Sequence, residues 1–276
     1  MTRYNFDEVT SRQNTGCLKY DFAVQRGRPA DVLPFWVADM DFPIAREIQE
    51  ALLERCQHAI FGYSESDDAY FAAVHDWYAK HFGWETQQEW LMKTPGVVFA
   101  LAAAVRAFTK SGDGVLINQP VYYPFSEVIK DNKRKLINSP LVLKDGKYSI
   151  DFADLEKKIV EHQVKLYILC SPHNPVGRVW SREELLKLGD ICLAHDVLIV
   201  SDEIHSDFVW GDNKHTVFSS LGADYAQNCI VCTAPSKTFN IAGLQVSNIF
   251  IPNAKLRHAF QHEVAAAGYS QLNTLG

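Results

Sequence analysis

Val197-Leu198-Ile199-Val200-Ser201-Asp202-Glu203-Ile204-His205 passes from four apolar residues directly into acid and imidazole. A short apolar run bounded by polar residues reads as a strand buried on both faces, and its polar exit marks the carboxyl end. Two further stretches have this form. Leu166-Tyr167-Ile168-Leu169 leads through Cys170 into Ser171-Pro172-His173-Asn174-Pro175-Val176-Gly177, and Ile230-Val231 leads through Cys232 into Thr233-Ala234-Pro235-Ser236-Lys237. Val115-Leu116-Ile117 and Ile249-Phe250-Ile251 add two more β-rich runs. Helical patterns alternate with them. Ser181-Arg182-Glu183-Glu184 is a capping box that starts a helix with Leu185, Leu188 and Cys192 facing inward. A further helix is expected from about 254 to 267. Upstream, Ile44, Ile48, Ala51, Leu52 and then Tyr70, Val74, Trp77, Tyr78 each follow the spacing of one helix face. A third helix over 97–109 is apolar almost all round and is expected to be buried. The alternation predicts an α/β fold, a mostly parallel central sheet flanked by helices. Ligands of open parallel sheets bind beyond the carboxyl ends of the strands, so Asn174, Asp202, His205 and Lys237 are expected to converge on one ligand.

The chain has 276 residues, 27 Lys+Arg against 33 Asp+Glu, and 47% hydrophobic residues. Disorder and collagen-like order are excluded, and a net charge of -6 with scattered basic residues argues against nucleic acid. The longest apolar run, Val97 to Val105, is far short of the roughly 20 residues that span a bilayer. The polar first residues cannot serve as a signal-peptide core, so no membrane association and a cytoplasmic location are expected. Six cysteines are too few for a stapled scaffold of this length. Cys229 and Cys232 lie three apart in a strand, on opposite faces, as core thiols. No metal site is expected: His258 and His262 share a helix face without a third ligand and read as surface residues. Asp39 and Asp41 read as part of a turn entry, and Gly112-Asp113-Gly114 as a turn, because no third glycine follows at Ile117.

An acid, an amide, an imidazole and a lysine also occur in metal, phosphate and sugar sites. They fit pyridoxal 5'-phosphate unusually well, because that cofactor needs a lysine for its aldehyde and an acid facing its ring nitrogen. Lys237 and Asp202 can fill these posts, and Asn174 can donate to the phenolic oxygen. The helix start at Gly96-Val97-Val98 can offer free N–H groups to a phosphate. Tyr122 or Tyr123 is available to stack on the ring.

These motifs resemble those of the fold-type-I pyridoxal-phosphate enzymes, the class I and II aminotransferase superfamily. The Asn174-Pro175-Val176-Gly177 loop, the Asp202-Glu203-Ile204-His205 segment and Ser236-Lys237-Thr238-Phe239-Asn240 each have a counterpart there. Phe35-Trp36-Val37-Ala38-Asp39-Met40-Asp41-Phe42 and Pro120-Val121-Tyr122-Tyr123-Pro124-Phe125 are similar to its carbon–sulfur β-lyase branch. The resemblance implies cofactor contacts from Lys237, Asp202, Asn174, Tyr122, His205, Gly96, Val97, Val98 and Ser236. It implies proton transfer assisted by Tyr123, and a homodimer in which Tyr63 reaches the neighbouring subunit's phosphate. Many aminotransferases carry an arginine eight residues after the lysine, where this chain has Gln245.

The implied reaction is β-elimination of cystathionine, cysteine or S-conjugates to pyruvate, ammonia and a thiol. Transamination and a non-catalytic fragment are the alternatives. The implied partner is a small amino-acid substrate. By the same resemblance residues 1–45 form an N-terminal segment that packs on a C-terminal small domain lacking here. Residues 46–276 form the cofactor-binding large domain, truncated at its C-terminus.

Overall fold

The computed structural model describes residues 4–276; residues 1–3, at the head of the expected N-terminal segment, lie outside the described residues. The strands are β1 (Leu91–Thr94), β2 (Gly114–Ile117), β3 (Lys135–Asn138), β4 (Val142–Lys144), β5 (Lys147–Ser149), β6 (Leu166–Cys170), β7 (Leu198–Asp202), β8 (Cys229–Thr233) and β9 (Ser247–Phe250). The helices are α1 (Arg46–Gln57), α2 (Asp68–Phe82), α3 (Val97–Phe108), α4 (Pro124–Asp131), α5 (Phe152–Glu161), α6 (Arg182–Ala194), α7 (Ala223–Gln227), α8 (Pro235–Thr238) and α9 (Ala254–Ala266). β4 and β5 form a separate hairpin, and the other strands build a seven-stranded sheet in the order β1-β9-β8-β7-β6-β2-β3.

The strands from β8 to β3 in that order run parallel, as expected, whereas β9 is antiparallel to both β8 and β1. Side chains alternate between two cores. Leu166 and Ile168 join Val97, Leu101 and Phe260 on one face; Tyr167 and Leu169 join Trp180, Leu188 and Phe218 on the other. Both faces are covered, so the central strands are apolar at nearly every position. Cys229 and Cys232 belong to opposite cores, as their spacing predicts.

Register aligns the strand ends that matter. Cys170 pairs with Asp202, and Asp202 with Cys232. The loops after β6, β7 and β8 therefore leave the sheet at one level.

Two helix expectations need correction. α1 starts at Arg46, so Ile44 precedes it, and none of its residues is buried. Its apolar side, with Ile48, Ala51 and Leu52, faces a cavity of about 660 Å³ shared with Val74, Trp77 and Phe239, not close-packed protein. α3 is buried along most of its length, but Val98 in its first turn is 38% exposed. His258 and His262 are exposed on α9, in line with the sequence reading.

Candidate active site

After β6 the chain turns back tightly. The Ser171 N–H donates to Asp202 O (2.9 Å), His173 N–H to Arg178 O (2.8 Å), and Gly177 N–H to His173 O (2.8 Å). Gly177 closes this loop at φ 69°, a left-handed conformation that glycine adopts without a Cβ clash. Asn174 uses only its backbone here: its N–H donates to Cys170 Sγ (3.3 Å), and its carbonyl accepts from Tyr122 N–H (3.0 Å). Among the described residues its side-chain amide has no partner. The same bond to Tyr122 brings the tyrosine loop against the Asn174 loop.

At the end of β7, Asp202 is 5% exposed, and Ile204 N–H donates to its Oδ1 (3.1 Å). β8 leads through Ala234 into α8, whose first residue is Pro235. Proline suits a helix start because its missing N–H and fixed φ cost nothing there. Lys237 sits in this short helix, and its Nζ donates to Ala38 O (3.2 Å). α3 begins after Gly96 without a side-chain cap, and the N–H groups of Val97, Val98 and Phe99 find no acceptor among the described residues. Uncapped helix N-termini favour anions.

A cavity of about 490 Å³ lies where these loops meet, with Asn174, His205 and Lys237 on its walls together with Ala38, Asp39 and Phe208. Burial pushes the Asp202 carboxyl up to about 7; neighbouring Glu203 adds to this and Lys237 opposes it. Burial also lowers Lys237, against the pull of Asp39 and Asp202, and takes His205 down to about 4, where nearby Lys237 adds to the effect. Tyr122 is raised by burial, with Tyr123 and Asp202 contributing. Asp202 thus lies within electrostatic reach of Lys237 and Tyr122, and Lys237 of His205.

The donor set fits pyridoxal phosphate. A buried carboxyl with no counter-ion in contact needs a cation, and a protonated ring nitrogen is one. The unused Asn174 amide matches a phenolic oxygen, the amine of Lys237 an aldehyde, and the uncapped α3 terminus a phosphate.

The remaining predicted residues, Gly96, Val97, Val98, Asp202, Tyr122, Tyr123, Ser236 and Tyr63, do not line this cavity. Tyr123 precedes α4 and is 67% exposed, and Tyr63 is 93% exposed. Ser236 sits beside Lys237 in α8, and Gln245 lies at φ 56° after a short 3-10 turn.

Sequence reasoning missed the strap across this site. Asp39 and Asp41 are not a free turn entry; they form an ion cluster with Arg12 and Lys19 at 2.7–3.3 Å. Burial works to raise Asp39, but hydrogen bonds from Arg12 and Lys19 hold it below the usual carboxylate range. Asn240 fastens the same segment: Met40 N–H donates to its Oδ1 (2.9 Å), and its Nδ2 donates to Met40 O (3.1 Å) and Phe42 O (2.9 Å). The detectable signal was two acids beside an apolar run, with Arg12 and Lys19 as unassigned cations upstream.

The family model for aminotransferase class I and II matches residues 30–273. Cystathionine beta-lyase PatB of Bacillus subtilis is 49% identical over 98% of this chain and 70% of its own length. Protein MalY of Escherichia coli is 34% identical over 93% of this chain and 65% of its own. The crystal structure of cystalysin from Treponema denticola, which contains pyridoxal 5'-phosphate, superposes with a TM-score of 0.94 at 43% identity, covering 99% of this chain and 70% of that one. The chain therefore spans about two thirds of the length of these relatives.

Proposed function

This chain belongs to the class I and II aminotransferase family and stands within it among the carbon–sulfur lyases, enzymes whose cofactor is pyridoxal phosphate, and from that premise we propose that it cleaves the β carbon–sulfur bond of cysteine-type amino acids. The proposed substrates are cystathionine, cysteine and S-conjugates, and the products are a thiol, pyruvate and ammonia. The observation that carries this reading is the buried Asp202, without a counter-ion in contact, at the end of β7 and within electrostatic reach of Lys237 beyond the adjacent β8.

When bound, the cofactor supplies an aldehyde for the substrate amine and a ring that withdraws electrons from the α-carbon. The rest falls to the protein's own residues. Lys237 would hold the cofactor at its aldehyde. Burial favours its neutral form, which accepts the α-proton. Asp202, kept ionised by a cationic ring nitrogen, stabilises the charge on that nitrogen. Asn174 donates to the phenolic oxygen, with His205 beside it held neutral by burial. Tyr122 would cover the ring face, Tyr123 would assist proton transfer near the leaving sulfur, and Gly96, Val97, Val98 and Ser236 would take the phosphate.

The proposal extends to assembly. Tyr63, projecting from the protomer, reaches the phosphate of a second copy in a homodimer. Residues 1–45 form a segment that packs on a small domain, and residues 46–276 form the large domain; Phe6, Leu33 and Phe35 are apolar side chains at 66%, 71% and 94% exposure that such packing would cover. No helix of the described residues is long and apolar enough to cross a membrane. The cysteines are unpaired, which suits the reducing cytoplasm we assign to it.

The test starts with the purified 276-residue chain and added pyridoxal phosphate. Borohydride should fix a cofactor adduct on the tryptic peptide that contains Lys237, and cystathionine should then yield pyruvate. Lys237→Ala should lose both. Pyruvate release by Lys237→Ala at the parent rate would overturn the assignment. Amino-group transfer to an added keto acid, without thiol release, would make the enzyme a transaminase.

A further inference from the structure

Between Ser206 and Val217 the chain leaves the sheet and returns, and this excursion contributes Phe208, Trp210 and Asn213 to the cavity wall. Its tip is open to solvent, with Trp210 at 72% exposure, and carries an internal bond from Asn213 Nδ2 to Trp210 O (2.9 Å). Both limbs are fastened by Glu203, a wholly buried acid next to Asp202. The departing limb donates Ser206 N–H to Glu203 O (3.0 Å). On the returning limb Phe218 N–H donates to Glu203 Oε1 (2.9 Å), and His215 Nε2 pairs with Glu203 Oε2 (2.8 Å). Ser201 Oγ also donates to Oε1 (2.8 Å). The His215 ring packs edge-on against Phe82 with centroids 5.5 Å apart. Asp207 secures the first limb a second time, accepting from Trp77 Nε1 (3.1 Å) and Thr238 Oγ1 (2.5 Å).

A buried carboxylate is costly to desolvate and is tolerated where its lone pairs are satisfied. Both oxygens of Glu203 are satisfied, and the partners that satisfy them are the root of the strand and the returning limb of the loop. We propose that the Glu203–His215 pair is a positioning device: it fixes where the Phe208–Asn213 wall stands, and so decides which substrate side chains fit. The apolar faces of Phe208 and Trp210 make the favoured class an amino acid with a bulky apolar group on sulfur. This rests on the lyase reading, in which the cavity receives the substrate.

The first arm of the test needs no turnover. Amide hydrogen exchange is followed in the cofactor-free 276-residue chain for the parent, His215→Ala and His215→Gln. In His215→Ala, exchange of the hydrogen-bonded amides of Ser206, Phe208 and Phe218 should rise roughly ten-fold, while β6 and α9 stay unchanged. His215→Gln, whose amide can still donate to Glu203, should restore most of the protection. If the alanine variant does not fold, His215→Leu, closer in size and without polar atoms, takes its place.

The second arm uses the loaded enzyme. The KM for S-benzylcysteine should rise about five-fold in His215→Ala, with kcat and the KM for cysteine unchanged. Unaltered exchange at Ser206, Phe208 and Phe218, exchange raised uniformly through the sheet, or an equal KM shift for both substrates would each overturn the proposal. Failure of the lyase reading alone would silence the second arm and leave the first intact.

Discussion

Asp202 combines an ionisable group, near-complete burial and, in the cofactor-free chain, no cation in contact. Its folded-state pKa of about 7 lies above the ordinary 3.8, so between these values the folded chain binds more protons than the unfolded one, and stability falls as pH rises through that window. Asp202→Asn removes the charge and should make the cofactor-free chain more stable at pH 8, by at most about 4 kcal/mol. The advantage should vanish by about pH 4, as urea midpoints across that range would show. His205, neutral in the fold down to about 4, loses stability on the acid side in both forms, so the difference isolates Asp202. Saturating pyridoxal phosphate should reverse the ranking. At this scale much of the candidate site was legible: Asn174, Asp202 and Lys237 each follow an apolar run, and strand ends expose chemistry that composition alone hides. Asp39 was not, because an acid beside a turn reads the same whether or not distant cations hold it.

Within α6 the capping box formed as its four residues predict, with Ser181 Oγ accepting from Glu184 N–H (3.2 Å) and Ser181 N–H donating to Glu184 Oε2 (2.7 Å). Ser181→Ala should cost about 1 kcal/mol, measured by chemical denaturation. Gly189, in the middle of the same helix, obeys a different constraint. A Cβ there would stand 2.6 Å from the Tyr225 ring, which is itself anchored by its hydroxyl to Asp190 (2.6 Å). Gly189→Ala should therefore destabilise by about 1–3 kcal/mol, although alanine is the better helix former by about 1 kcal/mol. A melting temperature equal to or above the parent's would show that Tyr225 yields freely. The capping box was readable because its signal is local. The glycine's role was not, since Tyr225 lies on another helix. Strand direction was hidden for the same reason: apolar runs identify β9 as a strand, but its antiparallel placement between β8 and β1 depends on pairings distant in sequence. The short strands β1, β3, β4 and β5 lack the apolar run that marks the other five, and at the sheet edge Lys93 of β1 turns to Glu65 (2.6 Å).

Across the whole molecule, the strap at Ala38–Phe42 is joined to Asn240, just beyond the short helix α8 that carries Lys237. Asn240 makes three hydrogen bonds to this strap from a backbone at φ 56°. Asn240→Ala loses all three and adds strain in the left-handed region, at a cost of about 2–4 kcal/mol. Limited proteolysis before residue 42 should accelerate, while cleavage of the sheet should not. Asn240→Gly, which relieves the backbone but restores no bond, should recover only part of the loss. The partners Met40 and Asn240 are 200 positions apart. During synthesis at about 5–20 residues per second, the strap is made about 10–40 s before its clasp. Over that interval the strap has its ion cluster with Arg12 and Lys19 but not the asparagine that fastens it. Lys237 arrives in the same stretch of chain as Asn240, so one short segment brings both the fastening of the strap and the amine that meets Ala38 O.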